Sequence, residues 1–121
     1  MSSKKQLGII GLGKMGGNIA LQAHEQGYYV VGKDQTEKPD LVEQGIRVET
    51  SYDNFFTILE PPRIIFLSLP AGKIIDEVIE DILPLLDEGD VVIDGGNSFF
   101  MDSQKRENEF WEKRIYYLDA G

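Results

Sequence analysis

The sequence predicts an α/β fold built on a doubly wound, mostly parallel sheet of six strands with helices on both faces. Short apolar runs alternate with longer amphipathic stretches along the chain, as strands buried between layers of helices require. A glycine-rich stretch, IIGLGKMGGN, separates the first apolar run from the first amphipathic one. The 121 residues are a usual size for one domain, so a single unit over residues 1–121 is expected.

Each element follows from its local pattern. The apolar runs predict strands at residues 6–10, 28–32, 46–49, 63–69, 90–94 and 114–119. The stretches between them predict helices at residues 14–26, 37–44, 51–59, 73–83 and 103–113. Asp102 is expected to cap the last helix, and Phe110 and Trp111 are expected to pack it on the sheet. The expected strand order is 3-2-1-4-5-6.

Composition and charge exclude several classes of function. The chain carries 12 basic and 21 acidic residues, a net charge of −9, and such a surface repels nucleic acid and anionic membranes. It has no cysteine and one histidine, His24, which excludes thiolate and multi-histidine metal sites, so no metal is expected. No stretch approaches the roughly 20 apolar residues of a membrane span, and no signal peptide is evident, so a cytoplasmic location is expected.

Gly11, Gly13 and Gly16 spell G-x-G-x-x-G directly after the first predicted strand, at the start of the first predicted helix. Gly11 makes the tight turn, Gly13 leaves room for a pyrophosphate, and Gly16 lets the helix pack closely on the sheet. The helix N-terminus then offers free N–H groups and a partial positive charge to the phosphates. This context predicts a Rossmann-type dinucleotide-binding domain. The alternative is a purely structural glycine turn.

An acidic residue is expected at the end of the second strand, and Asp34 stands 21 residues after Gly13. A carboxylate there accepts hydrogen bonds from the adenosine ribose and repels a 2′-phosphate, so NAD is expected rather than NADP. Lys33 is a nearby cation that weakens this discrimination. Gln35 stands where an arginine would favour the phosphate. The alternative for Asp34 is an ordinary turn aspartate.

Three stretches resemble one enzyme family: IIGLGKMGGNIA at 9–20, IDGGNS at 93–98 and YLDAG at 117–121. They are similar to the 6-phosphogluconate dehydrogenases (decarboxylating), within the β-hydroxyacid dehydrogenases, and the resemblance covers residues 7–121. It implies that Asn97 lies between the nicotinamide ribose and the substrate, where the alternative is a plain loop residue. It also implies that the pyrophosphate is wrapped by Gly11, Leu12, Gly13, Lys14 and Met15. The cofactor crevice would be lined by Leu69, Pro70 and Ala71.

The resemblance implies a full enzyme that oxidises a sugar-acid phosphate, 6-phosphogluconate, at C3 and releases CO2 to give ribulose 5-phosphate, acting as a homo-oligomer. Members that use NADP usually show Asn-Arg-Thr where this chain has Asp34, Gln35 and Thr36, which again favours NAD. The family's C-terminal helical catalytic domain, with its lysine and glutamate acid/base pair, is not in this sequence. The chain alone is therefore expected to bind cofactor without turnover, and no catalytic residue is assigned.

Two other functions stay open at this point. One is a β-hydroxyacid dehydrogenase acting on 3-hydroxyisobutyrate or tartronate semialdehyde, although such enzymes usually carry a D-x-S-T type segment where this chain has GGNS. The other is a nucleotide-sensing module without enzymatic activity. Such modules share the glycine loop, the acidic residue after the second strand and this length, so fold alone does not separate them.

Overall fold

The computed structural model describes residues 5–70, 73–96 and 100–120, with side chains for all of these except 100–103. Within these residues the strands are β1 (Gln6–Ile10), β2 (Tyr29–Lys33), β3 (Arg47–Glu49), β4 (Ile64–Leu67), β5 (Val91–Asp94) and β6 (Tyr116–Asp119). The helices are α1 (Lys14–Glu25), α2 (Pro39–Glu43), α3 (Tyr52–Ile58), α4 (Lys73–Ile82) and α5 (Phe100–Trp111). A short 3-10 turn, Leu83–Leu85, extends α4.

The described strands form one sheet in the order β3-β2-β1-β4-β5-β6, and every neighbouring pair is parallel. This confirms the predicted fold class and strand order. The chain winds outward from β1 in both directions, first to β3 and then, after crossing back, to β6. A parallel sheet of this kind needs a helical crossover between successive strands, which the five described helices supply.

Two hydrophobic cores lie on opposite faces of the sheet. Successive side chains of a strand point to opposite faces, so Ile9 packs with residues of α1 and α2, whereas Ile10 packs with residues of α3, α4 and α5. Ala20 of α1 and Phe110 of α5 are both fully buried, one in each core. In the described part of the chain, no helix is long and apolar enough to cross a membrane.

The start of α5 corrects one prediction. The helix begins at Phe100, so Asp102 lies inside it, and the expected cap at Asp102 is wrong. An acidic residue is favoured in the first turn of a helix as well as at the cap, so the residue type does not separate the two positions. Phe110 is buried as expected, but Trp111 is 48% exposed and packs beside Tyr116 instead. Consecutive helical residues lie about 100° apart around the helix axis, so the rings of Phe110 and Trp111 cannot both face the sheet.

A buried ion pair holds the amino ends of β4 and β5 together. The backbone N–H of Arg63 donates to Asp90 Oδ1 at 2.6 Å, and Arg63 Nη1 donates to Asp90 Oδ2 at 2.9 Å. The remaining guanidinium nitrogens donate to the carbonyl oxygens of Phe56 and Leu59, at the end of α3. Because both charges are buried and hydrogen-bonded, the pair fixes this edge of the sheet.

Candidate dinucleotide-binding site

The candidate site lies at the carboxyl ends of β1, β2 and β4. The backbone N–H of Gly11 still donates to the Lys33 carbonyl at 2.9 Å, and that of Ser68 donates to the Ile10 carbonyl at 2.8 Å. After these bonds the chain leaves β1 toward α1 on one face and leaves β4 toward α4 on the other. The crevice between β1 and β4 is therefore the switch point at which open α/β sheets bind ligands.

The turn after β1 is packed too closely for side chains at two glycines. Gly11 has a φ of +97°, and a Cβ built on it would lie 2.3 Å from the carbonyl oxygen of Ser68. A Cβ on Gly16, in the first turn of α1, would lie 1.9 Å from the carbonyl oxygen of Gly11. These contacts are the tight turn and the close helix approach that the glycine motif predicts.

Gly13, at the start of α1, is open. A Cβ built there would meet nothing within 4 Å, and Gly13 provides no side-chain hydrogen bond to cap the helix. The first N–H groups of α1 have no intrahelical partner by geometry, and the first turn carries no acidic residue. Lys14 and Met15 are exposed beside this end of the helix. An uncapped, uncrowded helix N-terminus of this kind fits a phosphate group.

Asp34 joins the end of β2 to the glycine loop. Its Oδ2 accepts the backbone N–H of Leu12 at 2.8 Å, and its Oδ1 accepts that of Thr36 at 3.2 Å. Partial burial raises the pKa of this carboxyl, but these two N–H donors and the charge of Lys38 outweigh it and lower the pKa overall. Asp34 is thus a turn residue and also a fixed negative charge at the crevice. The Leu12 side chain is buried below the loop.

A cavity of about 260 Å³ opens beside Asp34, and we call it the crevice cavity. Gly11, Asp34, Leu69 and Pro70, all predicted from the sequence, line it together. Leu12 in the glycine loop and Gly16 in the first turn of α1 are buried, and Gly13, Lys14 and Met15 lie at the start of α1 rather than on this wall. The rest of the lining was not assigned to the site from the sequence: Ile10, Lys33, Gln35, Tyr52, Ile74 and Val78.

Lys33 lies within a strand, near Asp34 as predicted. The second strand was predicted to end at residue 32, but β2 continues through Lys33 in register with Ile10. The side chain is only 9% exposed, and its Nζ lies 4.0 Å from the centre of the Tyr52 ring. Burial, and then the charge of Asp81, raise the pKa of Tyr52. Strand alternation from the buried Val31 would have placed Lys33 on this face.

The end of β5 is fixed by a buried polar cluster. Asp94 is fully buried, and its Oδ1 accepts the backbone N–H of Gly96 at 2.8 Å. Its Oδ2 accepts the hydroxyl of Tyr117 and lies 3.9 Å from Arg106 Nη1, while Arg106 also pairs with Asp76 of α4. Burial, followed by the hydrogen bond to Asp94 and its negative charge, raises the pKa of Tyr117. Asp94 lies in the IDGGNS motif and Tyr117 in the YLDAG motif, but the sequence did not predict that the two would pair.

Two predicted site residues, Ala71 and Asn97, lie outside the described residues. The structure nevertheless shows how the segment before Asn97 is held, because Asp94 anchors the N–H of Gly96. A Cβ on Gly95 would lie 2.5 Å from Cζ of Phe66, so the chain passes close to β4 at this point. The role of Asn97 itself stays a prediction.

Comparisons with known proteins agree with this geometry. A family model described as the NAD binding domain of 6-phosphogluconate dehydrogenase matches residues 6–121. The chain is 43% identical over 121 residues to the NAD(+)-dependent, decarboxylating 6-phosphogluconate dehydrogenase of Bacillus subtilis, covering 95% of this chain and 26% of that protein. The chain thus spans about a quarter of that relative's length.

Solved structures show the same fold. The 6-phosphogluconate dehydrogenase of Plasmodium falciparum, studied in its apo form and with its cofactor NADP+ and its substrate 6-phosphogluconate, superposes with a TM-score of 0.84 at 28% identity. That match covers 93% of this chain and 26% of the other. The 3-hydroxyisobutyrate dehydrogenase of Mycobacterium tuberculosis gives a TM-score of 0.81 at 19% identity, over 96% of this chain and 40% of that one. This last likeness shows the fold alone.

Proposed function

This chain belongs to the family of NAD-binding domains of 6-phosphogluconate dehydrogenase, and from that premise we propose that it binds NAD in preference to NADP. We further propose that it serves an enzyme that oxidatively decarboxylates 6-phosphogluconate, the activity in the name of the Bacillus relative. The resemblance implies that the product is ribulose 5-phosphate. The observation that carries the cofactor preference is the Asp34 carboxylate, held at the crevice by two backbone N–H groups. NAD, when bound, supplies the acceptor for the hydride that leaves the substrate.

The residues of the glycine loop fit a dinucleotide. The space over Gly13 and the uncapped start of α1 would receive the pyrophosphate, with Lys14 adding a positive charge beside it. Asp34 would accept a hydrogen bond from the ribose hydroxyls, since each of its oxygens keeps a lone pair beyond the N–H it accepts. Leu12 contributes indirectly, because its own N–H is used to hold Asp34.

The preference for NAD follows from charge. A 2′-phosphate brings roughly −1.5 to −2 charges at neutral pH, by analogy with phosphorylated side chains. Two like charges ~4 Å apart at an effective dielectric constant near 20 cost on the order of 4 kcal/mol per unit pair. Solvent and the nearby Lys33 and Lys38 reduce this to about 1–3 kcal/mol, which is about a 5- to 150-fold preference. Since the Plasmodium relative uses NADP+, the preference is a property of this chain's own residues rather than of the family.

The titratable residues of the crevice cavity are not the groups that carry out the chemistry on the sugar acid. In the described part of the crevice cavity, the titratable side chains are Lys33, Asp34 and Tyr52. Lys33 rests on the Tyr52 ring, and both oxygens of Asp34 accept backbone N–H groups. These residues are placed to bind and orient a nucleotide. Asn97, by the resemblance, would meet the nicotinamide ribose and the substrate.

Calorimetric titration of the chain with NAD+ and NADP+ tests the proposal. The unmodified chain is expected to bind NAD+ about 5- to 150-fold more tightly than NADP+. The double variant Asp34→Asn, Gln35→Arg removes the repulsion and adds a guanidinium that pairs with phosphate, so the preference should invert. As a control, Gln44→Arg adds the same charge at the end of α2, outside the crevice cavity, and should leave the ratio unchanged. Equal affinities in the unmodified chain would refute the assignment of Asp34.

A further inference from the structure

Lys33 is a buried cation in the crevice cavity that the proposed contacts to ribose and pyrophosphate leave unused. Its side chain is nine-tenths buried and lines the cavity. Among the described residues no carboxylate forms an ion pair with it; its Nζ lies over the Tyr52 ring, 4.0 Å from the centre. A buried ammonium is unfavourable unless its charge and its donors are compensated. The ring face compensates part of the charge but accepts no conventional hydrogen bond.

The ammonium has three N–H donors, and the cavity is the place where a ligand would accept one. The other walls restrict the kind of acceptor. Asp34 lines the same cavity and repels a phosphate or carboxylate. Most of the remaining lining is apolar and suits a flat ring: Ile10, Leu69, Pro70, Ile74 and Val78. A neutral heteroaromatic ring with in-plane acceptor nitrogens meets both requirements.

We propose that Lys33 determines base specificity by donating a hydrogen bond to a ring nitrogen of the purine base, and that Tyr52 holds the ammonium in position for it. This inference rests on the proposed function, because it assumes that the nucleotide occupies the crevice cavity. It assigns Lys33 to the base and leaves the ribose to Asp34. It also gives a role to the buried lysine at the end of β2, whose side chain lines the cavity.

The unmodified chain gives the first test. Calorimetry would compare ADP with its 1-deaza, 3-deaza and 7-deaza analogues, each of which replaces one ring nitrogen by carbon. One of the three is expected to bind about tenfold more weakly than ADP, the loss of one charge-assisted hydrogen bond. Equal binding of all four would overturn the inference even if NAD+ binds well. Failure of both NAD+ and ADP to bind would instead reject the proposed function, and this inference with it.

The variant Lys33→Met gives the second test, since it keeps an apolar stem and removes the donors. We expect about tenfold weaker binding of NAD+ and ADP, and no difference among the deaza analogues. Lys113→Met removes an exposed positive charge beyond the end of α5 and should change nothing. A variant that loses affinity for NADP+ but keeps its affinity for NAD+ would show that Lys33 serves a 2′-phosphate, and would overturn the inference. Circular dichroism of each variant confirms that the compared proteins are folded.

Discussion

Gly16 and Gly17 are neighbours in α1, and the same replacement by alanine is expected to have opposite effects at the two positions. At Gly16 the new Cβ would lie 1.9 Å from the carbonyl oxygen of Gly11. At Gly17 the nearest atoms, the carbonyl oxygen of Leu12 and the Leu41 methyl groups, lie at 3.8 Å, an ordinary contact. Comparing the two variants therefore separates the general destabilising effect of glycine in a helix from the steric need for glycine where α1 meets the loop.

The magnitudes follow from these distances. Non-bonded contacts of a Cβ below 3.0 Å essentially never occur, so in Gly16→Ala the loop and α1 must separate by about 1.1 Å. Overpacking of this kind costs about 1–3 kcal/mol, while alanine regains about 0.5–1 kcal/mol of helix propensity. The shift also strains the 2.8 Å bond from Leu12 to Asp34, so we expect a net loss of about 1–3 kcal/mol. Gly17→Ala should stabilise the chain by about 0.5–1 kcal/mol.

Urea denaturation of both variants measures the stability, and titration with NAD+ measures the affinity. Gly16→Ala should unfold at lower urea and bind NAD+ at least tenfold more weakly, because displacing the loop moves Asp34 and the N–H groups that we propose bind the phosphates. Gly17→Ala should unfold at higher urea and bind NAD+ unchanged. The reasoning fails if the two variants are equally stable, or if Gly16→Ala keeps the affinity of the unmodified chain.

Three further outcomes are expected. Gly13→Val should keep its circular dichroism spectrum, since nothing lies within 4 Å of the new Cβ, yet lose NAD+ affinity in calorimetry; full affinity would make the loop a structural turn. Because the folded pKa of Asp34 is below its ordinary 3.8, its stabilising effect should be complete above pH 3.8 and disappear as pH falls through the folded pKa. Urea midpoints of the chain and Asp34→Asn between pH 6 and 2 should therefore converge at the acid end. Arg63→Met leaves Asp90 buried without its cationic partner and should lower the free energy of unfolding, measured by urea denaturation, by about 3–5 kcal/mol. The NAD+ affinity of the folded protein should be unchanged, because this ion pair lies at the amino ends of the strands and the crevice cavity lies at their carboxyl ends. A loss of affinity would contradict this.

The strand order and the position of the crevice could be predicted because apolar periodicity and glycine spacing are local patterns that each indicate one kind of structure. The ends of a strand depend instead on the strands that pair with it in the sheet. The apolar run at 63–69 forms a strand only over Ile64–Leu67, where β1 and β5 offer pairing partners, and the N–H of Arg63 goes to Asp90. No pattern in the run itself encodes those partners.

The site was predicted less completely than the fold for a related reason. Gly11 and Asp34 directly follow strands and were predicted from the glycine spacing and the acidic residue after the second strand, whereas Leu69 and Pro70, just beyond β4, were implied by the family resemblance. Tyr52, Ile74 and Val78 reach the crevice cavity from helices, and their positions depend on how α3 and α4 dock on the sheet. A helix docks through packing over its whole length, which is a property of the assembled core.

The hydrogen bond from the Leu12 N–H to Asp34 limits how cofactor preference can change during evolution. The carboxylate that we propose rejects a 2′-phosphate is also the acceptor that holds the glycine loop, so most replacements that remove the charge also release the loop. Asparagine is different, because its amide oxygen can still accept the Leu12 N–H without the negative charge. A viable route from one cofactor to the other therefore passes through asparagine at position 34 first, with the arginine at 35 arriving later. Routes through alanine or a larger apolar residue would cross a protein whose loop has lost its anchor.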